Sequence, residues 1–255
     1  MSPVIDCTTD AGRDDGVAQA AEAVRRGELV VLPTDTVYGI GADAFDAEAV
    51  AALLAAKGRG REMPPPVLVP NPRTVDGLAT AVPTYARELI KAFWPGGLTL
   101  VLRAQRSLVW DLGDTNGTVA VRMPQDDVAL SLLAEVGPMA VTSANTTGAP
   151  AAHTVTEAAA MLGATVSVYL DAGPSGGTTA STILDCTKEM PVVLRVGAIG
   201  SDRLREVLGE VELDDPFVIE DEPDEPGGPD VTDEDPADQD DEEGSPADPE
   251  DRAES

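Results

Sequence analysis

Histidine and cysteine are nearly absent from this chain. Its 255 residues contain one histidine, His153, and two cysteines, Cys7 and Cys186. Mechanisms that pair a serine or cysteine nucleophile with a histidine, and zinc sites built from histidines, would all depend on that single imidazole. His153 follows residues 150–152 in an apparent loop, where a solvated side chain is the better interpretation, so we set these mechanisms aside. Two cysteines are too few for a disulfide framework and fit reduced core thiols.

Basic residues and long apolar runs are also scarce. The chain has 17 Lys and Arg against 46 Asp and Glu, which gives a formal net charge of −29. Proteins that bind duplex nucleic acid or membrane surfaces usually show the opposite bias, so tight nucleic-acid binding is disfavoured. No apolar run approaches the roughly 20 residues of a membrane helix, and the first residues lack the basic and apolar regions of a signal peptide. We therefore expect a cytoplasmic protein with no membrane partner.

The negative charge is unevenly distributed along the chain. Residues 213–255 hold 20 of the acidic residues and one arginine, and they have almost no apolar residue after Ile219. Such a segment buries too little surface to offset the entropy that ordering would cost. We predict a disordered acidic tail at 213–255 and a folded domain at 1–212.

Strand-like and helix-like patterns alternate along residues 1–212. Short apolar runs typical of strands lie at 29–31, 67–69, 98–102, 118–122, 139–141, 166–170, 181–184 and 192–196. Helical spacing predicts helices over 15–26, around Leu132, and after caps at Asp46, Thr84, Thr154 and Ser201. With no internal repeat, this alternation predicts one α/β domain with a mixed sheet.

A polar stretch follows the first predicted strand, over residues 32–41. It contains two hydroxyls, Thr34 and Thr36, on either side of one carboxylate, Asp35, and is closed by two glycines. Ligands often bind where such groups gather at the end of a strand in an α/β sheet. A simple polar turn, in which these side chains bond their own backbone, fits equally well.

Cations and hydroxyls mark several other strand ends. Residues 57–61 read Lys-Gly-Arg-Gly-Arg, a glycine-spaced loop that could approach phosphate oxygens, although a solvated helix end is the simpler interpretation of that loop alone. Arg122 ends an apolar strand, where a buried charge needs a partner, either an internal carboxylate or an anionic ligand. Residues 142–145 and 176–182 add hydroxyls, and Arg195 lies near the end of the last strand. No P-loop or dinucleotide fingerprint is present, so the pattern indicates a pocket for an anion but no particular reaction.

Seven short motifs occur in a fixed order along the chain. They are 33–39 (PTDTVYG), 57–59 (KGR), 95–99 (PGGLT), 121–124 (VRMP), 142–148 (TSANTTG), 181–185 (STILD) and 194–197 (LRVG). Each motif is weak alone, but the series resembles the YrdC/Sua5 family of threonylcarbamoyl-AMP synthases over about residues 15–209. The resemblance is to the short form of the family, without the additional C-terminal domain of the longer Sua5 members.

The resemblance implies a fold and a reaction. The fold is a single YrdC-like α/β domain, with a twisted mixed sheet flanked by helices and a concave ligand-binding face. The reaction joins L-threonine, bicarbonate and ATP into L-threonylcarbamoyl-AMP and releases pyrophosphate, with Mg²⁺ sharing in charge neutralisation. The product passes to the tRNA threonylcarbamoyl-transferase machinery, which forms N6-threonylcarbamoyladenosine in tRNAs that read codons beginning with A.

The resemblance also implies roles for ten residues. Lys57 and Arg59 match the catalytic, phosphate-binding pair. The L-threonine positions are Thr36, Arg122 and Ser181. The ATP positions are Lys57, Arg59, Thr118, Thr142, Ser143, Asn145 and Arg195.

Three positions depart from many relatives. Met63, Leu68 and Ala151 stand where those relatives carry a polar residue, so side-chain contacts are lost there. Arg61 is a candidate replacement for one of the phosphate contacts.

Two other functions are compatible with this fold. A double-stranded-RNA-binding or ribosome-maturation module is opposed by the negative charge of the domain. A carbamoyl-adenylating role like that in hydrogenase maturation would come with zinc-finger and acylphosphatase regions, which are absent here.

Overall fold

The computed structural model describes residues 2–177 and 179–217, which form ten strands and seven α-helices. The strands are β1 (Val4–Asp6), β2 (Val30–Leu32), β3 (Gly39–Asp43), β4 (Val67–Leu68), β5 (Leu98–Arg103), β6 (Thr118–Arg122), β7 (Met139–Ser143), β8 (Val168–Asp171), β9 (Thr182–Asp185) and β10 (Val192–Arg195). The helices are α1 (Asp10–Arg25), α2 (Ala47–Lys57), α3 (Val75–Leu78), α4 (Thr84–Phe93), α5 (Asp127–Val136), α6 (Val155–Leu162) and α7 (Ser201–Leu208).

All ten of these strands belong to one mixed sheet. Their order is β1-β8-β2-β3-β7-β4-β6-β5-β9-β10. The parallel pairs are β1–β8, β2–β8, β4–β6 and β5–β9, and the remaining neighbours are antiparallel. The predicted α/β fold with a mixed sheet is confirmed.

Helices cover both faces of the sheet because its central strands are apolar on both sides. In β2, Val31 joins a core cluster that includes residues of α2, α4, α6 and α7. Its neighbours Val30 and Leu32 join a second cluster with residues of α1 and α5. Successive strand residues point to opposite faces, so the two clusters lie on the two sides of the sheet.

One part of the sheet keeps a polar face. In β6, Val119 and Val121 are buried in the first core cluster, whereas Thr118, Ala120 and Arg122 line a cleft on the other face, which Val119 also borders. The same alternation holds in β5, where Thr99 and Val101 line the cleft. Because several residues on this side of β5 and β6 are polar, this part of the sheet borders a cleft and not a second layer of core.

Most helix ends follow the expected capping chemistry. The Asp46 carboxylate accepts from the N–H groups of Glu48 and Ala49, and Thr154 forms a complete capping box with Glu157. Two predicted caps were wrong: Thr84 and Ser201 are the first helical residues, preceded by Pro83 and Gly200, which make no side-chain cap. The first helix also begins earlier than predicted, at Asp10, because Thr9 caps it.

The glycines of the polar stretch lie in a strand rather than closing a turn. Gly39 and Gly41 belong to β3, which pairs with β2 on one side and β7 on the other. A Cβ on Gly39 would lie 2.7 Å from a methyl group of Val141. Glycine is needed here because a neighbouring strand's side chain occupies the space above the backbone.

The chain keeps contact with the domain just beyond residue 212. Leu213 packs against the core, and the N–H of Asp214 donates to the Pro191 carbonyl. The rest of the predicted acidic tail, residues 218–255, lies outside the described residues. None of the described helices has the length and apolar character needed to cross a membrane.

Candidate functional site

The cleft above β5, β6 and β9 encloses about 430 Å³. Eight of the ten predicted site residues line it: Thr36, Arg59, Thr118, Arg122, Thr142, Ser143, Ser181 and Arg195. Among the described lining residues there are three arginines and no Asp or Glu. In a chain with 46 acidic residues, this bias makes the cleft a local site for an anion.

The hydroxyl of Thr34 lies beside the neighbouring Thr36 hydroxyl. Thr34 Oγ1 donates to the Val37 carbonyl at 2.6 Å and accepts from the N–H groups of Thr36 and Val37. Thr34 Oγ1 also lies 3.1 Å from Thr36 Oγ1, and either hydroxyl can be the donor. Thr36 Oγ1 accepts from Arg122 at 3.0 Å, so Thr34, Thr36 and Arg122 form one hydrogen-bonded network in the cleft lining.

Arg122 is held by three different partners although it is only 6% exposed. Its Nε donates to the Gly96 carbonyl, Nη1 to Thr36 Oγ1 and Nη2 to Asp35 Oδ1, at 2.9, 3.0 and 2.6 Å. Burial lowers the pKa of the Arg122 guanidinium, and the Asp35 carboxylate partly offsets this shift. The partner that the sequence required is thus an internal carboxylate, and Asp35, which had no predicted role, supplies it.

A second hydroxyl pair lies across the cleft. Ser181 Oγ is 2.9 Å from Thr99 Oγ1, and both residues are buried. Arg195 donates from Nε and Nη2 to the Ser181 carbonyl, at 2.9 and 2.7 Å, and from Nη2 to Ser181 Oγ at 3.1 Å. Burial and the nearby Arg122 cation lower the pKa of Arg195, and both arginines line the cleft.

Lys57 does not line the cleft, in contrast to its predicted partner Arg59. Its ammonium, on a side chain only 1% exposed, donates to the carbonyls of Ser143 and Asn145 and to Asn145 Oδ1 at 3.0 Å. Burial and the Arg59 cation lower the pKa of Lys57 to about 8. Lys57 and Asn145 therefore brace the end of β7 from behind the cleft wall.

Arg59 is the cation of the 57–61 loop that reaches the cleft. Its Nη1 donates to Thr142 Oγ1 at 3.1 Å and its Nε to Thr147 Oγ1 at 3.3 Å. Arg61 forms a bidentate pair with Asp111 and lies 3.4 Å from Asp114. Arg61 is not among the described lining residues. It is paired with carboxylates on the surface and does not reach the cleft.

Tyr38 braces the polar stretch. Its hydroxyl donates to the Gly173 carbonyl at 2.5 Å and accepts from the N–H of Ala172. The ring is fully buried, and burial raises the pKa of the phenol to about 12. Tyr38 therefore stays neutral and ties this stretch to the loop after β8.

Sequence reasoning gave no role to Thr34, Asp35 and Thr99. All three lie inside quoted motifs, 33–39 and 95–99, and their place in those motifs was the available signal. Of the three positions that differ from many relatives, Leu68 and Ala151 line the cleft with apolar surface, and Met63 is exposed. His153 is half-buried and its Nδ1 lies 3.1 Å from Ser175 Oγ.

No group of three or more metal-ligating side chains occurs within the described part of the chain. The described cleft lining likewise offers hydroxyls but no carboxylate. A Mg²⁺ ion prefers oxygen ligands and often binds through one or two carboxylates together with substrate phosphates. These residues alone do not provide such a metal site.

Known proteins resemble this chain in sequence over most of the domain. A family model described as "Telomere recombination", which covers Sua5, YciO and YrdC proteins, matches residues 22–197. A Mycobacterium leprae protein whose name includes threonylcarbamoyl-AMP synthase is 57% identical over 83% of this chain and 96% of its own length. The Bacillus subtilis threonylcarbamoyl-AMP synthase is 37% identical over 82% of this chain and 62% of its own.

The fold also matches a solved structure. Pyrococcus abyssi Sua5, crystallised with L-threonine, superposes with a TM-score of 0.77 and 33% identity, over 83% of this chain and 62% of that one. This chain thus spans less than two thirds of the Bacillus and Pyrococcus proteins. The family match, the identities and the fold agree, and the chain belongs to the Sua5/YciO/YrdC family.

Proposed function

We propose that this chain is a nucleotidyltransferase that makes L-threonylcarbamoyl-AMP from L-threonine, bicarbonate and ATP, with release of pyrophosphate. The names of its relatives and the L-threonine bound to P. abyssi Sua5 support this choice. The observation that carries it is the donor set of the cleft, three arginines and a row of hydroxyls without a carboxylate in the described lining. Guanidinium and hydroxyl donors suit the carboxylate of an amino acid and the phosphates of ATP.

In this proposal, L-threonine binds near Thr36, Arg122 and Ser181. A guanidinium has five N–H donors, and three of those on Arg122 are used by described residues. The other two can donate to a threonine carboxylate. The Thr36 hydroxyl, which accepts from Arg122, lies beside these donors and adds a polar contact for the substrate.

ATP lies along the remaining polar wall of the cleft. Arg59 and Arg195 neutralise phosphate charge, and the hydroxyls of Thr118, Thr142 and Ser143 contact the nucleotide. Lys57 and Asn145 act from behind that wall, where they hold the backbone of Ser143. The threonine amine and bicarbonate first condense to a carbamate with loss of water. A carbamate oxygen then attacks the α-phosphorus, and pyrophosphate leaves with the electrons of the broken P–O bond. Positioning and charge neutralisation are the protein's contribution, and no histidine base is needed.

Any Mg²⁺ in this reaction would arrive with ATP. Because the described lining has no carboxylate, phosphate and water oxygens would be its ligands. We assign no step to the metal. The activity belongs in the cytoplasm, where the product would pass to the machinery that modifies tRNA.

The proposal is tested by incubating the purified full chain with L-threonine, bicarbonate and ATP. Pyrophosphate should appear only when all three are present, and mass spectrometry should detect the adenylate. Arg59→Ala should reduce the rate by at least about tenfold, whereas Arg61→Ala, which breaks the surface pair with Asp111, should leave it nearly unchanged. No threonine-dependent pyrophosphate, combined with tight RNA binding at low salt, would favour the RNA-binding alternative instead.

A further inference from the structure

Asp35 lies between two residues that line the cleft, Thr34 and Thr36, but is not itself among the described lining residues. Its side chain is 17% exposed, and its Oδ1 accepts from Arg122 Nη2 at 2.6 Å and from the N–H of Gln125 at 2.8 Å. We propose that Asp35 is a positioning residue for the amino-acid subsite: it holds Arg122 in the orientation that presents the remaining N–H groups to the substrate carboxylate. This inference rests on the proposed function.

The three contacts of Arg122 fix the plane of its guanidinium. The Gly96 carbonyl and the Thr36 hydroxyl are neutral acceptors, whereas Asp35 is the partner that carries charge. Charge-assisted hydrogen bonds are about twice as strong as neutral ones. Asp35 therefore contributes most to keeping this long side chain in one orientation.

Asp35 also joins two segments that are distant in sequence. It follows β2, whereas its two donors, Arg122 at the end of β6 and Gln125 before α5, lie 87 and 90 residues further along the chain. Gly177 closes the other side of the turn, where an added Cβ would lie 2.7 Å from the Asp35 carbonyl oxygen. The turn is thus confined from both sides, as a rigid support for Arg122 requires.

Asp35 need not compete with the substrate for Arg122. Both of its contacts use the same oxygen, Oδ1, and by donor count two N–H groups of Arg122 have no acceptor among the described residues. A substrate carboxylate can use those two groups while the ion pair stays intact. The pair also spares the site a buried cation without a counter-ion, which would be costly.

The experiment compares Asp35→Ala and Asp35→Asn with the wild-type chain. Initial rates are measured against L-threonine and against ATP, and thermal melts check folding. Asp35→Ala should raise the KM for threonine roughly 10- to 100-fold because Arg122 is released, and it should change the KM for ATP by less than about threefold. Asp35→Asn keeps an accepting oxygen but loses the charge, so its KM for threonine should lie between those of the wild type and Asp35→Ala. Asp111→Ala, a surface carboxylate outside the cleft, is the matched control.

Each other result overturns the inference. A lower KM for threonine in Asp35→Ala would make Asp35 a competitor of the substrate, and an unchanged KM would deny it any role. Equal increases in both KM values would mean a general structural effect. If Asp35→Ala does not fold, Asp35→Ser takes its place with the same expectation, and failure of both to fold makes Asp35 purely structural. A wild-type chain that forms no product contradicts the proposed function instead.

Discussion

Replacing Lys57 by methionine tests the energetics of the cleft wall. Methionine has nearly the length of lysine but no donors, so the two carbonyls and the amide oxygen that share the ammonium lose their partner. An orphaned buried acceptor costs about 1–3 kcal/mol, so three cost about 3–9 kcal/mol. The change also removes the penalty of burying the cation, which is roughly 3 kcal/mol for a pKa lowered from 10.5 to about 8. We expect Lys57→Met to lower the free energy of unfolding by about 0–6 kcal/mol at neutral pH.

This stability difference should grow with pH. Below about pH 8 the lysine is charged in both the folded and the unfolded chain, so the burial penalty is fully present. Between about pH 8 and 10.5, Lys57 is protonated in the unfolded chain but not in the folded chain. The free energy of unfolding of the wild-type protein therefore rises by about 1.4 kcal/mol per pH unit. Buried thiols with a raised pKa, such as Cys186, destabilise both proteins at high pH and cancel in the difference.

Urea unfolding of the two proteins, followed by circular dichroism between about pH 7 and 9.5, measures this difference. Lys91→Met is the matched control, because the Lys91 side chain is 81% exposed; its effect should stay within about 0.5 kcal/mol at every pH. A gap between wild type and Lys57→Met that does not change with pH would refute the reasoning. It would mean that the three acceptors keep the ammonium charged at its ordinary pKa.

Three further changes test the substrate subsites and the tail. Arg122→Ala should raise the KM for threonine at least about tenfold and the KM for ATP far less; equal losses in steady-state kinetics would contradict our assignment of Arg122. Gly177→Ala places a Cβ 2.7 Å from the Asp35 carbonyl, whereas Gly176→Ala places one at 3.8 Å. Only the first should weaken threonine binding in calorimetry, because only the first must displace the turn. Deleting residues 218–255 should leave turnover within about twofold, and a collapse in the same kinetic assay would show that the tail takes part in catalysis.

Local patterns in the sequence were sufficient to predict the architecture and much of the cleft. The run 118–122 alternates polar and apolar residues, and β6 accordingly faces the core with one side and the cleft with the other. The start of α1 was missed because the helical apolar pattern begins at Val17, well after the Thr9 cap. The strand β3 was missed because its glycines look like turn residues until Val141 is seen to fill the space above them.

The pairings inside the site could not be predicted in this way. Sequence reasoning required a partner for Arg122 but left open whether it was internal or a ligand, because Asp35 is 87 residues away. The sequence predicts Lys57 as a phosphate-binding cation. In the structure its ammonium donates to the carbonyls of Ser143 and Asn145, which lie 86 and 88 residues further along the chain. Such contacts depend on how the strands are ordered in the sheet, and local propensity carries no information about that order.

The central claim is that this chain joins three substrates in one cleft. Its most direct test is the reaction of the wild-type chain with ATP, L-threonine and ¹³C-labelled bicarbonate, with the adenylate isolated and analysed by mass spectrometry. The account predicts a threonine-dependent product that carries one labelled carbon, formed together with one pyrophosphate. An adenylate without the label, or pyrophosphate release that does not need threonine, would contradict it.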